Sequence, residues 1–169
     1  MSVVVQTCHI DSPNLDIHSV GPLMKTTDER WYELRDAIYL MNLPLATDLL
    51  RREPSLLKLS NAIGETVLHF LAVENHTEGV AWLHHQGSPI DTKNKFGIPV
   101  LFEVASRKNK ELFKWFVEKG ADIRTTNSEG QHIVEHLLEL ADAEMANWVR
   151  TLMDEAATTV ASTAPALQE

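Results

Sequence analysis

From residue 61 onward the apolar positions follow a doubled helical rhythm that repeats. Thr66, Leu68, Leu71 and Ala72 mark one short helical face, and Val80, Trp82 and Leu83 mark a second before Gly87. The same places then hold Leu101, Val104 and Ala105, followed by Leu112, Phe113, Trp115, Phe116 and Val117 before Gly120. A third pass runs from Gly130 through Val134, Leu137 and Leu138 to Trp148, Val149 and Leu152, this time without a closing glycine. Apolar residues three and four apart predict amphipathic helices, two to a unit. Each unit opens on a polar turn near Asn61, Asn94 or Asn127.

Two unrelated residue types share one period. Gly64, Gly97 and Gly130 stand 33 residues apart, as do Trp82, Trp115 and Trp148. That is the mark of stacked repeats, in which each unit buries its apolar face only against its neighbours. Glycine supplies the left-handed backbone that ends a helix or closes a tight turn, so one is expected at each helix end and in each loop. Thr66 is placed to cap the helix that follows it. The three tryptophans are expected to fill the space between helices.

The stretch Gly64-Glu65-Thr66-Val67-Leu68-His69-Phe70-Leu71-Ala72 resembles the ankyrin-repeat pattern G-x-T-P-L-H-x-A-A, with Val67 in the proline place. Gly120-Ala121-Asp122-Ile123 resembles the family's G-A-D-V segment, and Gly87-Ser88-Pro89-Ile90-Asp91 is a divergent copy. The resemblance implies an all-α solenoid of helix-turn-helix units joined by β-hairpin-like loops, about four units with the terminal caps. In that register Trp31 to Ser60 resembles an N-terminal capping unit, with Leu34, Ala37 and Ile38 on one helix and Ala46, Leu49 and Leu50 on the other. Glu53-Pro54-Ser55-Leu56-Leu57 stands where later units carry Gly-Ala-Asp-Ile. The expected division is a flexible arm over 1–27, a repeat domain over 28–153 with units of about 28–60, 61–93, 94–126 and 127–153, and a disordered tail over 154–169.

Composition narrows the classes. The 169 residues are 44% hydrophobic and 23% charged, an ordinary globular balance. A single cysteine, Cys8, permits no intramolecular disulfide. The N-terminal residues lack a basic n-region and no apolar run approaches the length of a membrane span, so a soluble cytoplasmic protein is expected. The formal charge of −9 argues against nucleic-acid binding. Of the fifteen basic residues eight fall between Lys93 and Arg124, against four acids there. The choice is between a solvated face of mixed charge and a basic patch for an acidic partner.

One catalytic pattern is present. His132-Ile133-Val134-Glu135-His136 matches the H-x-x-E-H of inverted zinc peptidases, where two histidines bind zinc and the glutamate serves as base. Against it, His132 and Glu135 occupy the Thr and His places of the third repeat, and catalytic zinc needs three protein ligands and an open position. The resemblance makes His69 a structural histidine bridging neighbouring turns, and puts His76 at a helix–helix turn. His84 and His85 are consecutive and point apart on a helix. Neither a phosphate-binding loop nor a nucleophile elbow occurs. The expectation is therefore a chain that is not an enzyme and needs no cofactor or metal.

What the resemblance implies instead is a presented surface, made of the loop tips and the first-helix face, that binds another protein. Carried onto this chain, the partner-binding residues are Ile63, Glu65, Lys93, Lys95, Phe96, Ile98, Arg107, Ser128 and Glu129. Ile63 and Phe96 directly precede turn glycines, where a polar residue would suit water better. Phe96 with Arg107 on the neighbouring helix is the preferred anchor, since aromatic and Arg residues dominate interfaces; the competing reading folds the ring back over the next loop. The expected role is an adaptor or inhibitor, or an immunity-type protein that neutralises a toxin or enzyme, acting as a monomer without nucleic acid or membrane. Self-assembly through a lateral or terminal surface is the other alternative.

Overall fold

The structure, a computed structural model, describes residues 27–162, with side chains of the last helix described through Glu155. The expected arm over 1–27, apart from residue 27 itself, and the last part of the tail, 163–169, lie outside the described residues.

Four helix pairs follow one another: α1 (Glu29–Tyr39) with α2 (Leu43–Arg52), α3 (Val67–Val73) with α4 (Thr77–His85), α5 (Val100–Ser106) with α6 (Lys110–Glu118), and α7 (Ile133–Glu139) with α8 (Ala143–Ser162). The first helices pack in a row, α1 on α3, α3 on α5 and α5 on α7. No strand forms among the described residues; three isolated antiparallel bridges, Ser60 to Thr66, Lys93 to Pro99 and Thr126 to His132, close the loops between units. In the first unit the short 3-10 helix Pro54–Lys58 replaces the glycine-led link and buries Leu56.

The core is a continuous seam. Leu34, Ile38, Leu68, Leu71, Val80, Leu83, Leu101, Phe102, Val104, Leu112, Phe113, Phe116, Ile133, Leu137 and Val149 are fully enclosed. The predicted core filling by tryptophan differs. Trp82, Trp115 and Trp148 are half-buried at the margin, where Trp115 meets His84 edge-on at 5.4 Å and Trp148 meets Phe113 at 5.5 Å. The Trp115 and Trp148 rings each span from one second helix to the preceding one, a link between units, while leucine, valine and phenylalanine fill the seam. The deeply buried tryptophan is Trp31, 2% exposed, whose indole N–H donates to the Glu65 carbonyl at 3.0 Å.

Helix ends also depart from expectation. The second helices α4 and α6 do end at Gly87 and Gly120, whose N–H groups bond back to the carbonyls of His84 and Val117. First helices end without glycine: Met41, Asn75, Lys108 and Ala141 take the left-handed conformation, with φ between 55 and 59°. Two backbone bonds hold such a reversal, as from Met41 N–H to the Ile38 carbonyl and from Asn42 N–H to that of Ala37. The next residue then caps the second helix through its side chain. Asn42, His76, Asn109 and Asp142 accept from the N–H groups of Leu45, Gly79, Leu112 and Met145. His76 thus sits at the expected helix–helix turn, with Nδ1 accepting and Nε2 left to donate to the Tyr39 carbonyl at 3.2 Å.

The last helix corrects the expected tail boundary at residue 154. α8 runs on to Ser162, through the run Glu155-Ala156-Ala157, because alanine has the highest helix propensity and the helix already has a packed first half to extend from.

Candidate loop-tip surface

Each loop between units is organised by one asparagine. The Asn61 side-chain oxygen accepts from the N–H groups of Ile63 and Glu65, Asn94 from Phe96 and Ile98, and Asn127 from Glu129 and Gln131, all at 2.9 to 3.1 Å. The amide nitrogens donate onward, to Glu65 Oε2, Glu103 Oε1 and Gln131 Oε1. Asn94 and Asn127 are buried, so these asparagines shape the tips from within. The sequence marked them as the start of each unit through their 33-residue spacing, although their job inside the loop was not visible there.

Neighbouring tips are tied together. Lys95 N–H donates to the Ile63 carbonyl at 2.8 Å, and the Ser128 hydroxyl to that of Phe96, also at 2.8 Å. Lys93 reaches forward, its ammonium 2.6 Å from the Thr126 carbonyl, and Lys95 reaches back to that of Ala62 at 3.3 Å. The result is a row of loops with a fixed register.

On this row the nine expected site residues separate. Phe96 is 60% exposed and Ile63 39%, and the Lys95 ammonium lies 5.2 Å from the Phe96 ring centroid. Lys93, Lys95, Ser128 and Glu129 stand beside them in solvent. Glu65 does not: it is 7% exposed and its carboxylate is held by Asn61, so it is a correction to the contact set. Ile98 is half-buried against the core. Arg107 is also corrected as a companion of Phe96, because it follows α5 while Phe96 precedes it, and the helix between spans about 10 Å. Arg107 instead faces the Glu103 carboxylate one turn back, whose acidity it partly restores.

The basic segment is dispersed by the fold. Lys108 pairs with Asp142 at 3.1 Å and Lys110 with Glu144 at 3.2 Å, and Lys114 lies over the Trp148 ring. Those side chains link the third helix pair to the fourth. Only Lys93 and Lys95 of the eight were found beside the aromatic tip. An Arg–aromatic group that sequence reasoning missed lies at the other end of the row: the Arg35 guanidinium stands over the rings of Trp31, Tyr32 and Phe70 at 4.8 to 5.6 Å. The signal was the i, i+3 and i, i+4 spacing of Trp31, Tyr32 and Arg35 on one helix.

Histidines play structural parts. Glu135 Oε2 accepts from the His132 N–H at 2.8 Å, fastening the start of α7, and the His136 ring lies against Phe102. His132, Glu135 and His136 therefore serve a helix start and a packing contact, and they do not form one of the converging ligand groups found among the described residues. Thr66 caps α3 through the His69 N–H, and His69 is fully buried with Nδ1 3.3 Å from the Thr92 hydroxyl in the following loop. Burial depresses its pKa to about 4, so the ring is neutral at physiological pH.

With this geometry in place, the family model for ankyrin repeats (many copies) matches residues 68–117, covering α3 through most of α6. That stretch, under a third of the chain, is similar to ankyrin repeats. A search of curated proteins found no match to it. Ankyrin repeats generally mediate protein–protein interaction and are typically non-catalytic, which fits a row of presented loops better than a chemical cleft. No helix among the described residues is long and apolar enough to cross a membrane.

Proposed function

We propose that this protein is a non-catalytic binding module that holds a partner protein across its loop tips, with Phe96 as the central anchor. The observation that carries the reading is an aromatic ring 60% in water on a loop whose backbone is fully tied: Phe96 N–H to Asn94, its carbonyl to Ser128. A rigid, pre-ordered aromatic loses little entropy on docking. Ile63 extends the apolar strip, and Lys93 and Lys95 flank it. Each ammonium uses one donor on a backbone carbonyl and keeps two for a partner's carboxylates, which favours a partner with an apolar socket rimmed by acidic groups. Such a module acts as an adaptor or as an inhibitor, the immunity-type neutraliser of a toxin or enzyme being one form of the latter.

Capture from native lysate, compared between wild type and Phe96→Asp with thermal unfolding measured alongside, tests this. The expected result is loss of the captured species with a melting temperature within about 2 °C of wild type, since an exposed substitution away from packing shifts stability by under about 0.5 kcal/mol. Unfolding of the variant would show the ring to be core and end the assignment.

A terminal surface has one observation in its favour as a rival. Tyr39, Leu40, Met41 and Leu45 are exposed together where α1 meets α2, beside an open hollow of about 410 Å³ lined by Glu33, Asp36, Ala37, Leu40, Asn42, Leu45 and Leu49. End units of a stack ordinarily turn a polar face outward. Self-association there predicts a mass by light scattering that rises with concentration; the loop-tip reading predicts a constant monomer mass.

A further inference from the structure

Beneath the tips, three side chains capable of ligating a metal converge from two units. A ring nitrogen of His69 and one carboxylate oxygen each from Glu65 and Glu103 lie within 4.8 Å of one another. Glu65 comes from the first tip loop, His69 from the opening turn of α3, and Glu103 from the opening turn of α5 in the next unit. We propose that Glu65, His69 and Glu103 form a binding site for a first-row divalent transition ion, zinc(II) above all, that ties the second and third helix pairs together under the loop row.

Four observations support this. His69 is fully enclosed and its Nε2 has no hydrogen-bond partner, while Nδ1 is occupied by the Thr92 hydroxyl. Of the two nitrogens, Nε2 is therefore the one left over for the cluster. A buried polar atom without a partner gives up its hydration for nothing, so it calls for a ligand. Next, the carboxylates are each fixed on one oxygen and free on the other: Asn61 holds Glu65 Oε2 and Asn94 holds Glu103 Oε1. All three ligating groups thus have an orienting partner behind them, the arrangement that metal sites use to aim their ligands.

Charge points the same way. Two carboxylates gathered beside a bare imidazole nitrogen repel one another, and they do so out of full contact with water, Glu65 being buried and Glu103 half-buried. A divalent cation relieves that repulsion. The neutral imidazole is in its ligating form, and one nitrogen with two oxygens selects against magnesium and calcium, which take oxygen alone. Zinc bonds of about 2.0–2.2 Å require donor separations near 3.4 Å, so rotamer adjustments of about 1 Å complete the shell with a water in the fourth place. The site is separate from the His132-Glu135-His136 motif, which lies in the last unit.

Calorimetric titration of the chelator-stripped full chain with zinc chloride tests the site, with cobalt(II) absorbance reporting a tetrahedral nitrogen–oxygen shell. We expect one equivalent of zinc per chain and a higher melting temperature when loaded. Glu103→Gln keeps the hydrogen bond from Asn94 and removes only the ligating charge; it should fold normally and bind at least about tenfold more weakly. His136→Gln should bind as wild type. The proposal is overturned if stripped protein takes up no stoichiometric zinc, which would leave the cluster holding a proton only, or if Glu103→Gln binds like wild type, which would place the ion on surface histidines.

Discussion

Replacing Gly64 by alanine should destabilise the protein by at least about 3 kcal/mol, whereas the same change at Gly130 should cost about 1–2 kcal/mol. Both residues have positive φ, +85° and +79°, so each substitution carries the left-handed penalty of a side chain. They differ in what a Cβ would meet. At Gly64 it would lie 2.6 Å from the Lys95 backbone nitrogen and 3.1 Å from the Asn94 carbonyl carbon, atoms of the next tip loop that cannot move aside separately. At Gly130 nothing stands within 4 Å. The excess at Gly64 measures the close approach of one tip to the next, the contact that brings Lys95 N–H to the Ile63 carbonyl. Urea denaturation of both variants reads the difference directly. Equal losses would mean that the tips do not lean on one another as described.

Trp31→Ala should cost about 4 kcal/mol or more, and Trp148→Ala well under half of that. Trp31 is 2% exposed, packs edge-on to Tyr32 and Phe70, and gives its indole N–H to the Glu65 carbonyl. Truncation leaves a cavity between α1 and α3 and an acceptor without its donor. Trp31→Phe, which keeps most of the volume and loses the bond, should fall between. Trp148 is half-buried and lies partly under the Lys110 and Lys114 side chains, so less area returns to water. Because stacks respond locally, the Trp31→Ala loss should appear as early unfolding of the first unit. A larger loss at Trp148 than at Trp31 would restore the repeated tryptophans to the centre of the core.

The contrast between those two tryptophans shows how far the sequence could be read. Helical spacing gave the pairs of helices, the 33-residue period gave their stacking, and Thr66 announced the cap it makes to the His69 N–H. Those features are local or periodic, and a single unit contains the information. Trp31 occurs once, outside the period, and its depth depends on how α1 rests on α3. Likewise Met41, Asn75, Lys108 and Ala141 hold the same left-handed turn with four different side chains, so no residue type flagged it. At the tips the sequence identified exposed Phe96 and Ile63 by their mismatch with water. It could not tell that Glu65 turns inward to Asn61, or that Lys108 and Lys110 are spent on Asp142 and Glu144, since both depend on the rotation from one unit to the next.

The central claim is that the row of loop tips is the binding face. Hydrogen exchange of the chain, alone and saturated with its captured partner, tests that claim most directly. The account predicts added protection at the amides of residues 61–65, 93–98 and 127–131, with α2, α4 and α6 unchanged. Protection confined to residues 39–45, with the tips exchanging as in the free protein, would contradict it and move the interface to the exposed apolar end of the stack.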